Sequence, residues 1–136
     1  MTARNINNVY KGTDSLRNYF DPDQQPRIPM VEIPRKLNPF YEDEVRIYVK
    51  MMSTLPANNV KALPALNMLQ NSVRPETKTI VEYISGLTVI SMSVIARVRY
   101  GISDTRAFLS NKTSWTKLQL MGFFGLNISL FGGSSQ

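Results

Sequence analysis

The sequence predicts an α/β fold in which a mainly parallel sheet carries flanking helices. Segments rich in β-branched or alternating apolar residues recur along the chain, and after residue 60 they alternate with segments of helical periodicity. This alternation is typical of a parallel sheet, because parallel strands need a crossover connection. The predicted order is β-β-α-β-α-β-α-β. At 136 residues the chain is long enough to bury a core of its own.

The first two predicted strands are short. Residues 28–33 include Pro29 and are followed by Pro34, which favours a place at a sheet edge because proline cannot donate to the ladder. Residues 44–51 place Val45, Ile47 and Val49 alternately with polar residues, which predicts a strand with one wet face.

Three helices and three further strands complete the prediction. The helices are expected at 61–70, 88–100 and 115–124, and the strands at 77–83, 106–109 and 127–131. Ser85 is expected to cap the second helix, and Thr113 or Ser114 the third. Gly101 and Gly125 are expected to end these two helices. Trp115 is expected to pack the last helix on the sheet.

The domain organisation is predicted from composition. Residues 1–26 are polar and are expected to form an extended lead-in with little regular structure. Residues 27–133 are expected to form the α/β domain, and residues 134–136 a short tail.

The absence of two residue types restricts the chemistry. The sequence has no cysteine and no histidine, which excludes disulfides, Cys/His zinc sites and a Ser-His-Asp triad. Lysine, aspartate, glutamate and tyrosine remain as proton-transfer groups. Acidic residues cluster at Glu42, Asp43 and Glu44, but a solvated loop is the expected reading, and we predict no metal site.

Charge and hydropathy argue against two classes of partner. The net charge is +6, but the basic residues are scattered and never form a run of five, so we expect no nucleic-acid binding. No stretch of 18 apolar residues occurs, and residues 1–11 lack the apolar run of a secretory signal, so we expect no membrane association. A cytoplasmic location is expected, with a mitochondrial one as the alternative.

Ligands of open α/β sheets bind where strands give way to helices at their carboxyl ends. In this sequence such turns fall around Lys61, around Ser85 and from Ser110 to Thr113. We therefore expect any chemistry to lie at these turns.

Four stretches of the sequence carry a family resemblance. They are Ile28-Pro29-Met30-Val31, Val45-Arg46-Ile47-Tyr48-Val49-Lys50, Pro56-Ala57-Asn58-Asn59-Val60-Lys61 and Glu82-Tyr83-Ile84-Ser85-Gly86-Leu87-Thr88. In this order they resemble the motifs T-P-L-V, V-Y-A-K, N-P-x-x-S-V-K and E-P-T-S-G-N-T. These belong to the fold-type II pyridoxal phosphate enzymes, the family of cysteine synthase, cystathionine β-synthase and tryptophan synthase β. Fungal cysteine synthase-like proteins look closest.

The resemblance implies a cofactor and a set of roles. Lys61 would form the Schiff base with pyridoxal 5'-phosphate and act as the catalytic base. Ser85, Gly86 and Thr88 would bind the carboxylate of a small amino-acid substrate, which a helix N-terminus favours. The implied reaction is β-replacement or β-elimination on a serine- or cysteine-type amino acid, and the implied assembly is a homo-oligomer or a complex with a full-length paralogue.

Two departures from the family pattern set the expected level of activity. Leu87 stands where the family has an asparagine that contacts the cofactor ring, and Ile84 stands where a threonine helps to bind the carboxylate. The family's proteins have two domains, with the phosphate-binding loop in the later half. We therefore expect the chain to be an N-terminal fragment with weak or no activity on its own. The alternatives are a non-catalytic remnant that binds a full-length relative or another partner, and a basic scaffold or nucleic-acid module.

Overall fold

The structure, a computed structural model, describes residues 7–83 and 86–132. Within them, five strands and four helices follow one another in an α/β order. The strands are β1 (Met30–Glu32), β2 (Tyr48–Lys50), β3 (Thr79–Glu82), β4 (Asp104–Ser110) and β5 (Asn127–Phe131). The helices are α1 (Ser15–Tyr19), α2 (Ala62–Ser72), α3 (Leu87–Tyr100) and α4 (Trp115–Phe123), and short 3-10 turns lie at Arg35–Leu37, Met52–Thr54 and Pro56–Asn58. The predicted fold class and the order from β1 onward are confirmed.

Strands β3, β4 and β5 form a parallel sheet in that spatial order. The connections from β3 to β4 and from β4 to β5 both lead to the next strand on the same side. Since such connections are right-handed, α3 and α4 lie on the same face of the sheet. Ala107 and Leu109 are buried on that face. The opposite face is left open in the described part of the chain, where Val81, Tyr83 and Phe131 are exposed.

Helix α3 is the centre of the core because it packs on two sides. Toward α2, its residues Met92 and Ile95 join the cluster that holds Leu66 and Leu69. Toward the sheet, Val89 and Ile90 join a cluster with Ala107, Leu109 and Met121. A helix buried on two sides must be apolar on most sides, which explains the sequence of this segment.

The expectation that Trp115 packs the last helix on the sheet is wrong. Trp115 is 71% exposed, and Met121 packs in the sheet cluster instead. The two positions differ by about 120° around a helix, so they cannot face the sheet together. Phe20 is buried with α2 and α3 and orders the end of the lead-in, where α1 replaces part of the predicted extended segment.

Strands β1 and β2 form a separate antiparallel pair. The ladder is extended by bonds from the Ile33 N–H to the Ile47 carbonyl (2.8 Å) and from the Met51 N–H to the Pro29 carbonyl (2.9 Å). All six residues of the two strands are exposed, so the predicted buried face of 44–51 does not form within the described residues. The alternating pattern identified the strand but not what covers it.

Asp104 ties together the amino ends of the three parallel strands. Its carboxylate accepts hydrogen bonds from the Thr79 hydroxyl on β3 (2.7 Å) and the Asn127 amide on β5 (3.0 Å). The Arg106 guanidinium lies 2.9 Å from it on β4. The hydrogen bonds from Arg106 and Thr79 hold the pKa of Asp104 at about 2, well below its ordinary value.

This carboxylate predicts a loss of stability in acid. A folded-state pKa below the unfolded value means that Asp104 stabilises the fold above about pH 4 and loses this contribution as the pH falls toward 2. We expect the urea midpoint of the wild type to fall between pH 4 and pH 2, and Asp104→Asn to flatten that fall. Asn127→Ala, which removes one of the bonds, should flatten it partly. Identical pH profiles for wild type and Asp104→Asn would contradict this role.

Among the described residues, no helix is long and apolar enough to cross a membrane.

Candidate functional site

Lys61 lies at the start of α2, as its position in the sequence predicts. The chain reaches it through a tight turn in which Ala57 and Asn58 both have positive φ, 63° and 53°. This left-handed conformation costs Ala57 about 1–2 kcal/mol, while asparagine tolerates it better. The surrounding contacts must therefore hold the turn in place.

Asn59 supplies those contacts. Its side-chain Oδ1 accepts a hydrogen bond from the Lys61 N–H at 2.8 Å, and its Nδ2 donates to the Ala57 carbonyl. The same Oδ1 also accepts from the hydroxyl of Ser91, in the second turn of α3, at 3.2 Å. Asn59 is 7% exposed and Ser91 is fully buried. One buried amide thus fixes the backbone at Lys61 and joins it to α3.

This bond places the N-terminal ends of α2 and α3 side by side. At the opposite ends, Val73, just after α2, lines one cavity together with Tyr100 and Ile102 at the end of α3. The two helices are therefore parallel, and both N-termini lie at the carboxyl end of β3. The turn at Lys61 therefore lies against the second turn of α3, the helix that follows β3.

The turn before α3 is built on Gly86. It is the N-cap residue, with φ of 92° and ψ of −144°, a conformation that is essentially restricted to glycine. The first bond of the helix runs from the Ile90 N–H to the Gly86 carbonyl (3.3 Å), so the N–H groups of residues 87–89 have no acceptor within the helix. Such a turn suits a carboxylate or phosphate.

Of the other residues predicted for this turn, only some lie within the described part of the chain. Thr88 lies in the first turn of α3 and is partly buried. Ser85 and Ile84 lie outside the described residues. The helix begins at Leu87, and its N-cap is Gly86 rather than the predicted Ser85. Leu87 is 48% exposed, and its hydrocarbon side chain offers no hydrogen bond at the position where the family has asparagine.

The third predicted turn, 110–113, closes the carboxyl ends of β4 and β5. The Thr113 N–H donates to the Ser110 carbonyl (2.9 Å), and the Asn111 N–H donates to the Phe131 carbonyl (2.8 Å). The Asn111 side chain also donates to the Gly132 carbonyl (3.3 Å). These contacts give the turn a structural role in linking the two strands.

The residues present fit two parts of a pyridoxal phosphate site. The Lys61 side chain is exposed and makes no ion pair with any described residue, so its amine is accessible to an aldehyde. The N–H groups at the start of α3 suit an anion beside it. The described residues contain no glycine-rich run that could hold a phosphate in addition. The burial expected of a cofactor lysine is not provided by the described chain.

Asn59 and Ser91 are the site residues that sequence reasoning did not assign. Asn59 stands within the lysine motif, and asparagine two residues before an N–H is a known turn-forming arrangement. That local signal was available in the sequence. The bond to Ser91 was not, since it joins residues 32 positions apart.

The sequence matches the family of pyridoxal-phosphate dependent enzymes over residues 23–136. This chain belongs to that family. The match covers most of the chain and includes both the lysine motif and the turn before α3, so the resemblance in the four stretches is confirmed at family level. A comparison with curated proteins gives no match.

Solved structures of several relatives share the fold. An O-ureido-L-serine synthase is 27% identical, with a TM-score of 0.61, over 77% of this chain and 33% of its own. A hydrogen sulfide-producing enzyme from Fusobacterium nucleatum is 22% identical, with a TM-score of 0.65, over 92% and 39%. An O-acetylserine dependent cystathionine β-synthase from Helicobacter pylori is 22% identical, with a TM-score of 0.59, over 78% and 35%.

The chain spans between a third and two fifths of the length of these three structures. The two comparisons at 22% identity support the fold alone.

Proposed function

We propose that this chain carries the lysine and the carboxylate-binding turn of a pyridoxal phosphate site that acts on a serine- or cysteine-type amino acid. The reaction would be a β-replacement or β-elimination, as in a cysteine synthase. The observation that carries the proposal is the Asn59–Ser91 hydrogen bond, because it sets the start of α2, with Lys61, against the start of α3. The 27% identity to an O-ureido-L-serine synthase supports this substrate class.

The roles of the residues follow from their positions. The Lys61 amine would hold the cofactor aldehyde and, once released, would accept a proton from the substrate Cα. The N–H groups at the start of α3, with Ser85, Gly86 and Thr88, would orient the substrate carboxylate through hydrogen bonds and the helix dipole. When bound, pyridoxal phosphate supplies the electron sink that makes the Cα proton acidic.

We also propose that the activity of this chain alone is weak. Leu87 removes a hydrogen bond that asparagine would make, and the loss of a hydrogen bond to a charged group costs about 1.5–3 kcal/mol. The described residues also provide no second set of groups for the cofactor phosphate. A second copy of the chain or a full-length relative would be the source of the missing contacts.

Covalent trapping on Lys61 tests the proposal. All seven lysines of the chain are exposed, so accessibility alone predicts even labelling by pyridoxal phosphate and borohydride. We expect the adduct to concentrate on Lys61 because, with no substrate carboxylate present, the free N–H groups at the start of α3 favour the phosphate of the reagent beside it. Peptide mass spectrometry would measure the adduct at each lysine.

The other lysines serve as internal controls. Lys36 and Lys117 are exposed and lie in other parts of the fold. Adducts spread evenly over Lys36, Lys61 and Lys117 would refute the assignment of Lys61. Lys61→Arg should remove the dominant adduct and leave the labelling of the other lysines unchanged.

A further inference from the structure

Among the described residues near the candidate site, Asn59 stands out because its one side chain makes three hydrogen bonds. It bonds the Lys61 N–H, the Ala57 carbonyl and the Ser91 hydroxyl. The first two shape the turn, and the third fixes that turn to another helix. Losing Asn59 would therefore release both the local conformation and the link to α3.

The residue type matters at this position. The family motif that the lysine stretch resembles has serine where this chain has Asn59. A serine hydroxyl can cap the Lys61 N–H, although more weakly than asparagine. Its shorter side chain carries one polar atom in place of two separated ones, so it does not reach Ala57, Lys61 and Ser91 at once. The asparagine thus gives this chain an attachment that the motif does not contain.

The backbone conformation of the turn also requires stabilising contacts from neighbouring residues. Ala57 and Asn58 are both left-handed, and two such residues in succession are unfavourable without compensating contacts. Pro56 before them is buried and Lys61 after them is exposed. The Asn58 N–H donates to the Leu55 carbonyl (2.8 Å), and the Asn59 side chain spans the segment with bonds to Ala57 on one side and Lys61 on the other.

We propose that Asn59 is the positioning residue for Lys61, and that its bond to Ser91 sets the lysine beside the anion-binding start of α3. This rests on the proposed function, in which the reactivity of Lys61 depends on that neighbour. Asn59 itself touches no substrate in this scheme. It acts through the backbone of Lys61.

The chain contains a matched control for this role. Asn38 is also a buried asparagine, 4% exposed, with its Oδ1 accepting from the N–H two residues on (Phe40, 3.1 Å) and its Nδ2 donating to the Val45 carbonyl (2.8 Å). Asn38→Ala should thus resemble Asn59→Ala in its effect on stability. Within the described part of the chain, no hydrogen bond joins Asn38 to Lys61 or to α3.

The test compares the share of borohydride-trapped adduct on Lys61 in five proteins. Relative to wild type, Asn59→Ala should lower the ratio of Lys61 adduct to Lys36 adduct about tenfold, which corresponds to about 1.4 kcal/mol. Ser91→Ala keeps the turn and removes one bond, so it should lower the ratio less, by about threefold. Asn59→Ser should fall between wild type and Asn59→Ala. Asn38→Ala should leave the ratio unchanged.

A second measurement does not depend on the cofactor. Amide hydrogen exchange of Lys61 should accelerate in Asn59→Ala, because its N–H loses its acceptor. It should stay close to wild type in Asn38→Ala. Accelerated exchange at Phe40 in Asn38→Ala would show that the control lost its own turn to the same degree.

The outcomes separate this proposal from the proposed function. If wild-type Lys61 labels no faster than Lys36, the proposed function fails and the positioning role fails with it. If wild type is selective and Asn59→Ala and Ser91→Ala are equally selective, only the positioning role is overturned. If Asn38→Ala lowers the ratio as much as Asn59→Ala, the effect is general destabilisation and the role is also overturned. Should Asn59→Ala not fold, Ser91→Ala and Asn59→Ser decide the question.

Discussion

Replacing Leu69 by alanine is expected to destabilise the fold by about 3 kcal/mol, within the 2–5 kcal/mol range for large-to-small core changes. Leu69 is 1% exposed and lies in the cluster between α2 and α3. The substitution removes buried apolar surface and leaves a cavity that close-packed neighbours fill only in part. Domains of this size are stable by about 5–15 kcal/mol, so a large share of the total would be lost.

Leu63 provides the matched control for this prediction. It is the same residue type on the same helix, so the small change in helix propensity is equal in both variants. It is 36% exposed, and Leu63→Ala should cost less than about 1 kcal/mol. Urea unfolding followed by circular dichroism would measure both. Equal losses would contradict the packing of α2 on α3 described above.

Replacing Gly86 by alanine is expected to cost about 1–3 kcal/mol and to abolish the selective labelling of Lys61. A Cβ at Gly86 would meet no atom of the described residues within 4 Å beyond its chain neighbours, so the expected cost is one of backbone conformation. With φ of 92° and ψ of −144°, an alanine would force the turn to rearrange. The N–H groups at the start of α3 would then no longer converge on an anion.

Two other glycines serve as controls for this prediction, because a Cβ added at either would lie more than 4 Å from any described residue other than its chain neighbours and, for Gly122, the backbone of its own helix. Gly101 ends α3 in the left-handed conformation, so Gly101→Ala should lower the free energy of unfolding by about 1 kcal/mol. Gly122 lies inside α4 without a positive φ, and its change to alanine should stabilise the protein by up to about 1 kcal/mol. Neither variant should change the labelling of Lys61. A Gly86→Ala protein as stable and selective as wild type would contradict the role of this turn.

Local signals in the sequence predicted most elements after residue 60. The last strand, 127–131, agrees with the structure at both ends, and Gly101 ends α3 as expected. These signals succeed because hydrophobic periodicity and glycine stops act within a few residues. The strand at 44–51 was predicted too long, since only residues 47–51 hydrogen-bond or pair with the segment from Pro29 to Ile33.

The residues of the candidate site also fall into two groups, those that local signals identify and those that depend on tertiary contacts. Lys61 and Gly86 were identifiable from the order of the motifs, because each stands at a turn marked in the sequence. Asn59 was not assigned a role, since its meaning depends on Ser91 in another helix. The exposure of Leu87 and of Trp115 likewise depends on which faces the neighbouring elements cover.

The sequence by itself determined the fold class, the family and the position of the lysine, because periodicity, turn residues and motif order are properties of neighbours along the chain. Only the tertiary structure decided that α2 and α3 run parallel, with both N-termini at the carboxyl end of β3. It also decided that one face of the parallel sheet stays open in the described part of the chain. Both depend on long-range packing and on the hand of the crossovers, which bring together residues that no local pattern connects.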